Sequence, residues 1–503
     1  MECVVVTKSR HPSRTCLTIV IMFIGVCLSN LTGLRAQEVF DTPVETMTGF
    51  KPPAEIIPHT DDQLMIDLGT ALHLAESQNP RIALAREMVT ESVAQHREAR
   101  ALWLPTLNAG GNYHLHGGVV QTSFGEIRRL NSQSLYVGGG SNTVGTQTVA
   151  VPAVRIFAHV GDAYYLPLAA RQMVTVRSFE SRTTDNVTLL EVCDRYLTLV
   201  ASEARREALI ATLQEVSIVE RAQAVFARVG QEREADYHRA KTERLLLEVA
   251  EQQAQEDIAV AAAELSRVLH LDPSCRLVTS SGPIELLDLV DKHAHIDDLV
   301  GQAQHLRPEV AARNAEIGAA DSRLRNEQMR PWLPQISAGF SGGAFGGGSN
   351  RQDLGVSSIY QTTAGRTDFD VWAFWTVQNL GAGNHAWQNI RRSERDQLIF
   401  SRALALAQIR REVTEQQAQA RARRRAVDVA WTQLTAAEKG AQQELRRTRA
   451  GEALPIEALN NITRLSDARQ RLLASVIDYN RAELRLLVAL GTNPQDVAMS
   501  VNQ

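Results

Sequence analysis

The sequence predicts a mainly α chain with a small β part, built as a duplicated unit of long coiled-coil helices plus four β-strands. Three observations predict this: two long proline-free stretches, an internal repeat, and period-two alternation confined to short segments of each half. Of the 16 Pro in 503 residues, none falls within Leu168–Asp272 or Gln335–Leu454. A globular chain averages about 5% Pro. Gaps this long imply uninterrupted elements rather than the roughly 150-residue globular domains that length alone suggests. The 44% hydrophobic content excludes a disordered chain, and five Cys exclude a disulfide scaffold.

Lys8, Arg10 and Arg14 precede the apolar run Cys16 to Leu28, followed by small and polar residues. This order matches a secretory signal peptide cleaved after Ala36. The run is too short to span a bilayer, which takes about 20 apolar residues. A non-cleaved anchor is the competing reading. Loss of residues 1–36 removes Lys8, Arg10, Arg14, Arg35 and Glu2, leaving 49 basic against 56 acidic side chains, a balance of −7. A mildly acidic chain offers no basic surface for a nucleic-acid partner. Cys193 and Cys275 remain and read as free structural thiols. No later stretch reaches 18 consecutive apolar residues, so an exported chain of this kind is either soluble or crosses a membrane as β-strands.

The internal repeat organises the rest. Trp103-Leu104-Pro105 recurs as Trp332-Leu333-Pro334, each followed after five residues by Gly110 or Gly339. Asn79-Pro80 corresponds to Arg307-Pro308, and each follows a short helical stretch (Ile66 to Ser77, Ile296 to His305). Gly230 precedes Pro273 by the interval that separates Gly451 from Pro494. Each half reads short helix, Pro, helix, W-L-P, Gly-rich segment, long helix, Gly turn, long helix, Pro. A period this long is a duplicated domain rather than a solenoid unit. The plan is a signal peptide (1–36), an N-terminal linker (37–62), a first repeat (63–282) and a second repeat (283–503).

After each W-L-P the sequence alternates. Leu107, Ala109, Tyr113, Leu115 and Val119 share one parity, and Asn108, Asn112, His114 and His116 the other; Ile336, Ala338, Phe340 and Ala344 alternate with Gln335, Ser337 and Ser341. Return strands are expected at Val154 to Val160 and at Asp368 to Val377. Alternation of this kind makes strands with one apolar and one polar face. They suit a half-buried soluble sheet or a lipid-facing barrel with a wet lumen. Four strands cannot close a membrane barrel of eight or more, so a barrel requires several chains. The runs Gly138 to Gly140 and Gly346 to Gly348 read as loop filler.

Helices are expected from Arg171 to Val229 (roughly 90 Å at 1.5 Å per residue), from Glu234 to Leu269, from Asn384 to Ala450, and from Pro455 to Leu490. Pro suits the first helical turn of the last. Leu465, Leu472, Val476, Tyr479, Leu486 and Leu490 form a heptad seam.

With these residues in order, the chain resembles the TolC-type outer-membrane efflux proteins. The resemblance covers nearly all of the mature chain. It rests on Ile66-Asp67-Leu68 with Ala71, Leu72, Ala75 and Asn79-Pro80, and on both W-L-P segments. It extends to Val377-Gln378-Asn379-Leu380-Gly381, the Gly230 and Gly451 turns, and Leu490-Gly491-Thr492-Asn493-Pro494. It implies a homotrimer in the outer membrane, each chain giving four strands to one twelve-stranded β-barrel and its long helices to an α-barrel in the periplasm. It further implies a passive conduit, with a periplasmic adaptor and an inner-membrane pump as partners, outer-membrane lipid around the barrel, and no enzyme activity, cofactor or metal.

The resemblance also implies a gate where the helical hairpins converge. The family's acids six and nine residues after the second turn glycine correspond to Glu457 and Asn460, and Asp236 stands six after Gly230. The Arg that some relatives carry two residues after that glycine is Ala453, with Arg447 or Arg449 as substitutes. Three copies of Glu457 would form a cation-favouring ring. Equally, Glu457 is an ordinary first-turn acid favoured by the helix dipole. His114 and His116, two apart on one strand face, suit lumen lining better than a metal site. His293 and His295 lie in an acidic linker with Asp291, Asp297 and Asp298, and Arg421, Arg423, Arg424 and Arg425 are expected to pair with neighbouring acids. Tyr164, Tyr165, Trp372, Phe374 and Trp375 suggest an aromatic girdle at strand ends. No hydrolase triad, phosphate loop or zinc signature has supporting context. The competing class is an exported coiled-coil scaffold whose Gly-rich segments are loops.

Overall fold

The computed structural model describes residues 63–141, 151–229, 234–272, 275–280, 284–349, 362–449 and 455–495. The expected signal peptide and linker, Gly230, Gly451 and Ala453 lie outside them. In chain order the first half contains β1 (Gln63–Ile66), α1 (Leu68–Gln78), α2 (Pro80–Arg100), β2 (Thr106–Leu107), β3 (Ala109–Gln121), β4 (Ile127–Ser141), β5 (Val151–Pro152), β6 (Val154–His159), α3 (Val160–Val229), α4 (Glu234–Leu269) and β7 (Arg276–Thr279). The second contains α5 (Ile296–Leu306), α6 (Pro308–Met329), β8 (Gln335–Ser349), β9 (Thr362–Phe374), α7 (Ala382–Arg449) and α8 (Pro455–Ala489). The predicted fold class, mainly α with a small β part, is what the chain adopts.

Two compact units are formed. The first contains Val93–Arg171 and Ala319–Arg395 and holds an antiparallel sheet. One edge of β8 pairs with β9 along Gln335–Gly347. Its other edge pairs with β4 through Gly342–Ser349 and with β6 through Gln335–Phe340. β4 and β6 therefore lie end to end as one row, and β2 and β3 form a second row against β6 and β4. The result is four rows, in spatial order β2/β3, β4/β6, β8, β9.

The expected strands correspond to β2/β3, β6, β8 and β9, whereas β4 (Ile127–Ser141), which continues the row of β6 and pairs with β3 along its length, lies where the sequence predicts a glycine-rich loop. Gly138 to Gly140 and Gly346 to Gly348 are not loop filler, because they lie within β4 and β8. A Cβ on Gly138 would stand 2.5 Å from the Gly343 Cα, and one on Gly343 would stand 2.9 Å from the Tyr136 ring. Glycine is needed there so that Tyr136 can lie buried across the sheet. The scaffold reading loses its premise with those loops.

Helix α3 starts eleven residues before the expected Arg171, running through Pro167. Pro167 has no N–H for the Ala163 carbonyl four residues back. The Trp103 indole N–H takes that place, donating to Ala163 O at 3.0 Å. In the second half the Trp375 indole donates to Trp332 O at 3.2 Å. Tyr164 and Tyr165 consequently sit in the first turns of α3 rather than at a strand end, ring to ring at 4.9 Å. Trp372 and Phe374 do close β9, stacked at 5.7 Å.

The second unit contains residues 63–92, Gln172–Gly318 and residues 396–495. Ile66, expected at the start of a helix, instead ends β1, which pairs in parallel with β7. Asp67 then caps α1, accepting from Thr70 N at 3.0 Å. Asn79 ends α1 and opens α2: its amide accepts from Arg81 N at 2.9 Å and donates to Val268 O of α4 at 2.9 Å. Arg307, at the same point of the second half, binds Glu309 and Glu412 instead.

Of the expected heptad seam of α8, Leu465, Tyr479, Leu486 and Leu490 are buried and Leu472 and Val476 half-buried, and α8 is buried on two sides. Ile477 and Leu484 join a cluster with Ile66, Leu72, Leu199, Leu265 and Leu277, whereas Ala482, Leu486, Ala489 and Leu490 join another with Leu299, Val310, Ile409 and Val413. Cys193 is buried in the first cluster with Cys275 packed against it, and both are free thiols. Burial pushes the Cys193 thiol up to about 12.

Gly491 ends α8 at φ +92, and a Cβ there would meet the Arg307 N and Leu306 C at 2.8 Å. Gly491→Ala combines a left-handed backbone cost of about 1–2 kcal/mol with that clash. We expect a loss of at least this size, read as a lowered thermal midpoint.

Candidate functional site

The sheet separates two chemistries by register. On one face, Tyr113 stands opposite Leu135, Val137 opposite Ala344, Phe340 opposite both Val154 and Phe369, and Ala338 opposite Val371. Most of these side chains are exposed, Tyr113 at 56%, Leu115 at 60% and Phe369 at 72%. The other face carries Asn112, His114, His116, Tyr136, Arg155, Arg366, Asp368 and Asp370. Arg366 pairs with Asp368 at 2.9 Å and lies over the Phe345 ring, and Arg155 lies over Phe157. An exposed apolar face backed by a charged one is the inverse of a soluble half-buried sheet. Trp103, Tyr164, Trp332 and Trp375, all exposed, gather in sequence at the strand–helix joints, as interfacial aromatics do.

At those joints Asp162 of α3 accepts from Asn326 at 2.7 Å and from Arg330 at 2.8 Å, both belonging to α6 and its end. His159 takes the Gly161 N–H on Nδ1, and its Nε2 lies 3.2 Å from Arg330 O. This network orients the strand entering α3, leaving only the Asn326 amide oxygen among its members buried without a partner among the described residues.

The ends of the helical hairpins lie in the second unit. Val216 and Val219 of α3, Ala240 of α4, and Ala458, Leu459 and Ile462 of α8 form an apolar cluster, with Leu445 of α7 against it. Around it Arg244 reaches Glu220 at 2.7 Å, and Arg469 binds Glu215 with two hydrogen bonds of 3.1 and 3.3 Å. Glu457 and Asn460 are exposed on α8 and Asp236 half-buried in the first turn of α4. Neither acid forms an ion pair among the described residues. Arg447 is engaged by Glu444 of its own helix at 3.2 Å. It therefore does not replace the missing Arg at 453 as a partner for the end-of-hairpin acids.

Three side chains here were not anticipated. Gln223 of α3 is 1% exposed, and both its amide oxygen and nitrogen lack a hydrogen-bond partner among the described residues; Glu444 Oε1 and Thr448 Oγ1 of α7 are likewise buried and unpaired. A signal existed, since Val216, Val219 and Gln223 follow i, i+3, i+7 and put a polar amide on an apolar stripe.

A segment at residues 284–295 is laced to α8. Asn480 accepts from Leu287 N and donates to Glu285 O, both at 2.9 Å, and the Tyr479 hydroxyl donates to Asp288 at 2.5 Å. Glu483, 4% exposed, accepts from Leu289 N and Val290 N at 3.2 Å. Burial pushes its carboxyl above the ordinary 4.5, the two backbone donors pulling it part of the way back. Arg423 pairs with Asp478 and Arg424 with Asp288, as expected, while Arg421 donates to Ala294 O and Arg425 to Arg421 O. His295 pairs with Asp297 at 3.4 Å in an exposed setting. Among the described residues no group of three or more His, Cys, Asp or Glu side chains is placed to hold a metal ion, and no helix is long and apolar enough to cross a membrane.

The fold is that of known outer-membrane channels. The chain is similar to the outer-membrane channel OprN at TM-score 0.66 and 15% identity, covering 85% of this chain and 90% of that one. It is similar to the Campylobacter jejuni CmeC outer membrane channel at 0.65 and 12%, covering 86% and 88%. It is also similar to the open state of the Neisseria gonorrhoeae MtrE outer membrane channel at 0.62 and 14%, covering 84% and 89%. No protein-family model and no curated protein sequence matches the chain.

Two outcomes follow from the buried polar groups. Because the folded state holds the Glu483 proton more tightly than the unfolded chain, its contribution to stability falls as pH rises from about the ordinary value through the raised one. Glu483→Gln keeps an acceptor without the charge. It should match or exceed the parent in thermal midpoint at neutral pH with a flatter pH dependence, whereas Glu483→Ala should lose about 1–3 kcal/mol by orphaning two N–H groups. Gln223→Leu, an apolar replacement of similar shape, should raise the midpoint in the same measurement. A fall would show that the amide is satisfied in solution.

Proposed function

We propose that the chain is one protomer of an outer-membrane exit channel, a passive conduit within a tripartite efflux or secretion system. The observation that carries this reading is the sheet: its apolar face is exposed, its opposite face is charged, and its outer rows β3 and β9 each pair on one edge only among the described strands. Three chains of four rows make twelve strands, an even number that closes without edges. The likeness to outer-membrane channels such as CmeC and MtrE supports the same assembly. An exported coiled-coil scaffold has no use for an exposed apolar sheet face.

In this reading residues 1–36 direct export, 37–62 are a linker, and 63–282 and 283–503 are the two repeats. The barrel sits in outer-membrane lipid, while the helices extend into the periplasm toward an adaptor and an inner-membrane pump. The chain carries no enzymatic role, and no cofactor or metal is needed for conduction. The gate lies at the hairpin ends, framed by the Gly230 and Gly451 turns, with Glu457 and Asp236 as the free acids and Asn460 as a neutral position beside them. Three symmetry-related Glu457 carboxylates would favour cations through a narrow opening.

The localisation is tested by fractionation. The protein should pellet with outer membranes and run as a heat-modifiable trimer in detergent; recovery as a soluble periplasmic species would end the proposal. The gate is tested separately in planar bilayers. Glu457→Ala should lower cation preference and change single-channel conductance, and unchanged current and selectivity would remove Glu457 from the gate.

A further inference from the structure

The conduit reading uses His114 and His116 only as polar lining, and the structure gives them an unusual setting. They lie two apart on β3, on its charged face, opposite Ser134 and Ser132 of β4. The Nε2 atoms of both rings are shielded from solvent and have no hydrogen-bond partner among the described residues, and the same holds for Ser134 Oγ opposite His114. A buried polar atom without a partner is costly, and two imidazole nitrogens in one row call for a ligand that engages both. Asn112 Oδ1, two residues earlier on the same face, is likewise shielded and without a partner among the described residues, whereas His159 is engaged on both ring nitrogens.

We propose that His114 and His116 form a two-imidazole site for a first-row divalent cation of the kind that prefers nitrogen ligands, such as Zn2+, Cu2+ or Ni2+. Residues two apart on a strand project from the same face at roughly 7 Å spacing. Two imidazoles at that spacing can turn toward one ion, each Nε2 at about 2.0–2.1 Å from it. Water completes the coordination, and the Ser132 and Ser134 hydroxyls stand across the strand pair to accept from or donate to those waters. With only two protein ligands the site is open, suited to reversible capture rather than to structural stapling. The proposal rests on the sheet register and not on the channel reading.

The full-length protein, purified in detergent, is titrated with Zn2+ and Cu2+ by calorimetry, and the Cu2+ form is examined by electron paramagnetic resonance. We expect one ion per chain at submillimolar affinity and coupling to two imidazole nitrogens. His114→Gln or His116→Gln should weaken binding at least tenfold and reduce the coupling to one nitrogen, with thermal midpoints near that of the parent. The double variant His293→Ala/His295→Ala is the control, because that pair has the same spacing in an exposed linker, and it should bind as the parent does. Binding that survives loss of both strand histidines, binding abolished by the linker variant, or no binding below millimolar concentration would each overturn the assignment.

Discussion

The unpaired outer edges of the sheet constrain everything else in this chain. Among the described strands, β3 spans thirteen residues and pairs along its length only with β4, and β9 spans thirteen and pairs only with β8. Such edges are templates for further strands. In hydrocarbon every backbone N–H and C=O must find a protein partner, and in the proposed channel strands of other chains would supply it to these edges. The alternation along each strand and the missing partners at both ends are thus two consequences of one arrangement.

The joint between strand and helix shows how the two kinds of structure are coupled within the first unit. A proline inside α3 breaks one helical hydrogen bond, and the Trp103 indole restores a donor to the bereft Ala163 carbonyl. Asp162, one residue before that carbonyl, holds Asn326 and Arg330, so the start of α3 and the end of α6 move together. The W-L-P recurrence therefore has a physical content that the repeat alone does not reveal. Trp103 closes a backbone carbonyl with its indole, and Trp332 has its own carbonyl closed by the Trp375 indole, both at places where helix and strand meet.

Much of this was legible because it is local. Helices α4 and α8 begin and end almost where periodicity, Pro455 and the expected Gly turns place them, and the strand parity read at Tyr113, Leu115, His114 and His116 is the parity observed. What was not legible depends on residues far apart in the chain. β1 exists because it pairs with β7 more than two hundred residues later, and Ile66 alone looks like a helix start. Gly138 to Gly140 look like a loop by propensity, since glycine is depleted in strands; only the close approach of Gly343, Ala153 and Val151, distant in sequence or across the hairpin, makes them necessary. Residues 284–295 carry no periodicity, yet Asn480 and Glu483 of α8 satisfy their backbone as a neighbouring strand would. At the hairpin ends Glu457 and Asp236 were named from the resemblance, whereas Gln223 required noticing one amide on an apolar stripe.

Helix packing in the second unit is graded along its length. Near residues 477–490, α8 is wedged between two large apolar clusters, and its side chains also lace down residues 284–295. A helix held on two faces cannot rotate without opening both. At the hairpin ends six buried residues from α3, α4 and α8 supply the cluster, and beside it Gln223, Glu444 and Thr448 bury polar atoms with no partner among the described residues. The salt bridges there, Arg469 to Glu215 and Arg244 to Glu220, are partly exposed pairs, worth little individually. Local opening draws on the regions with fewest buried contacts. The same four helices that are rigid where α8 is doubly buried are therefore least tightly held where Glu457, Asn460 and Asp236 stand.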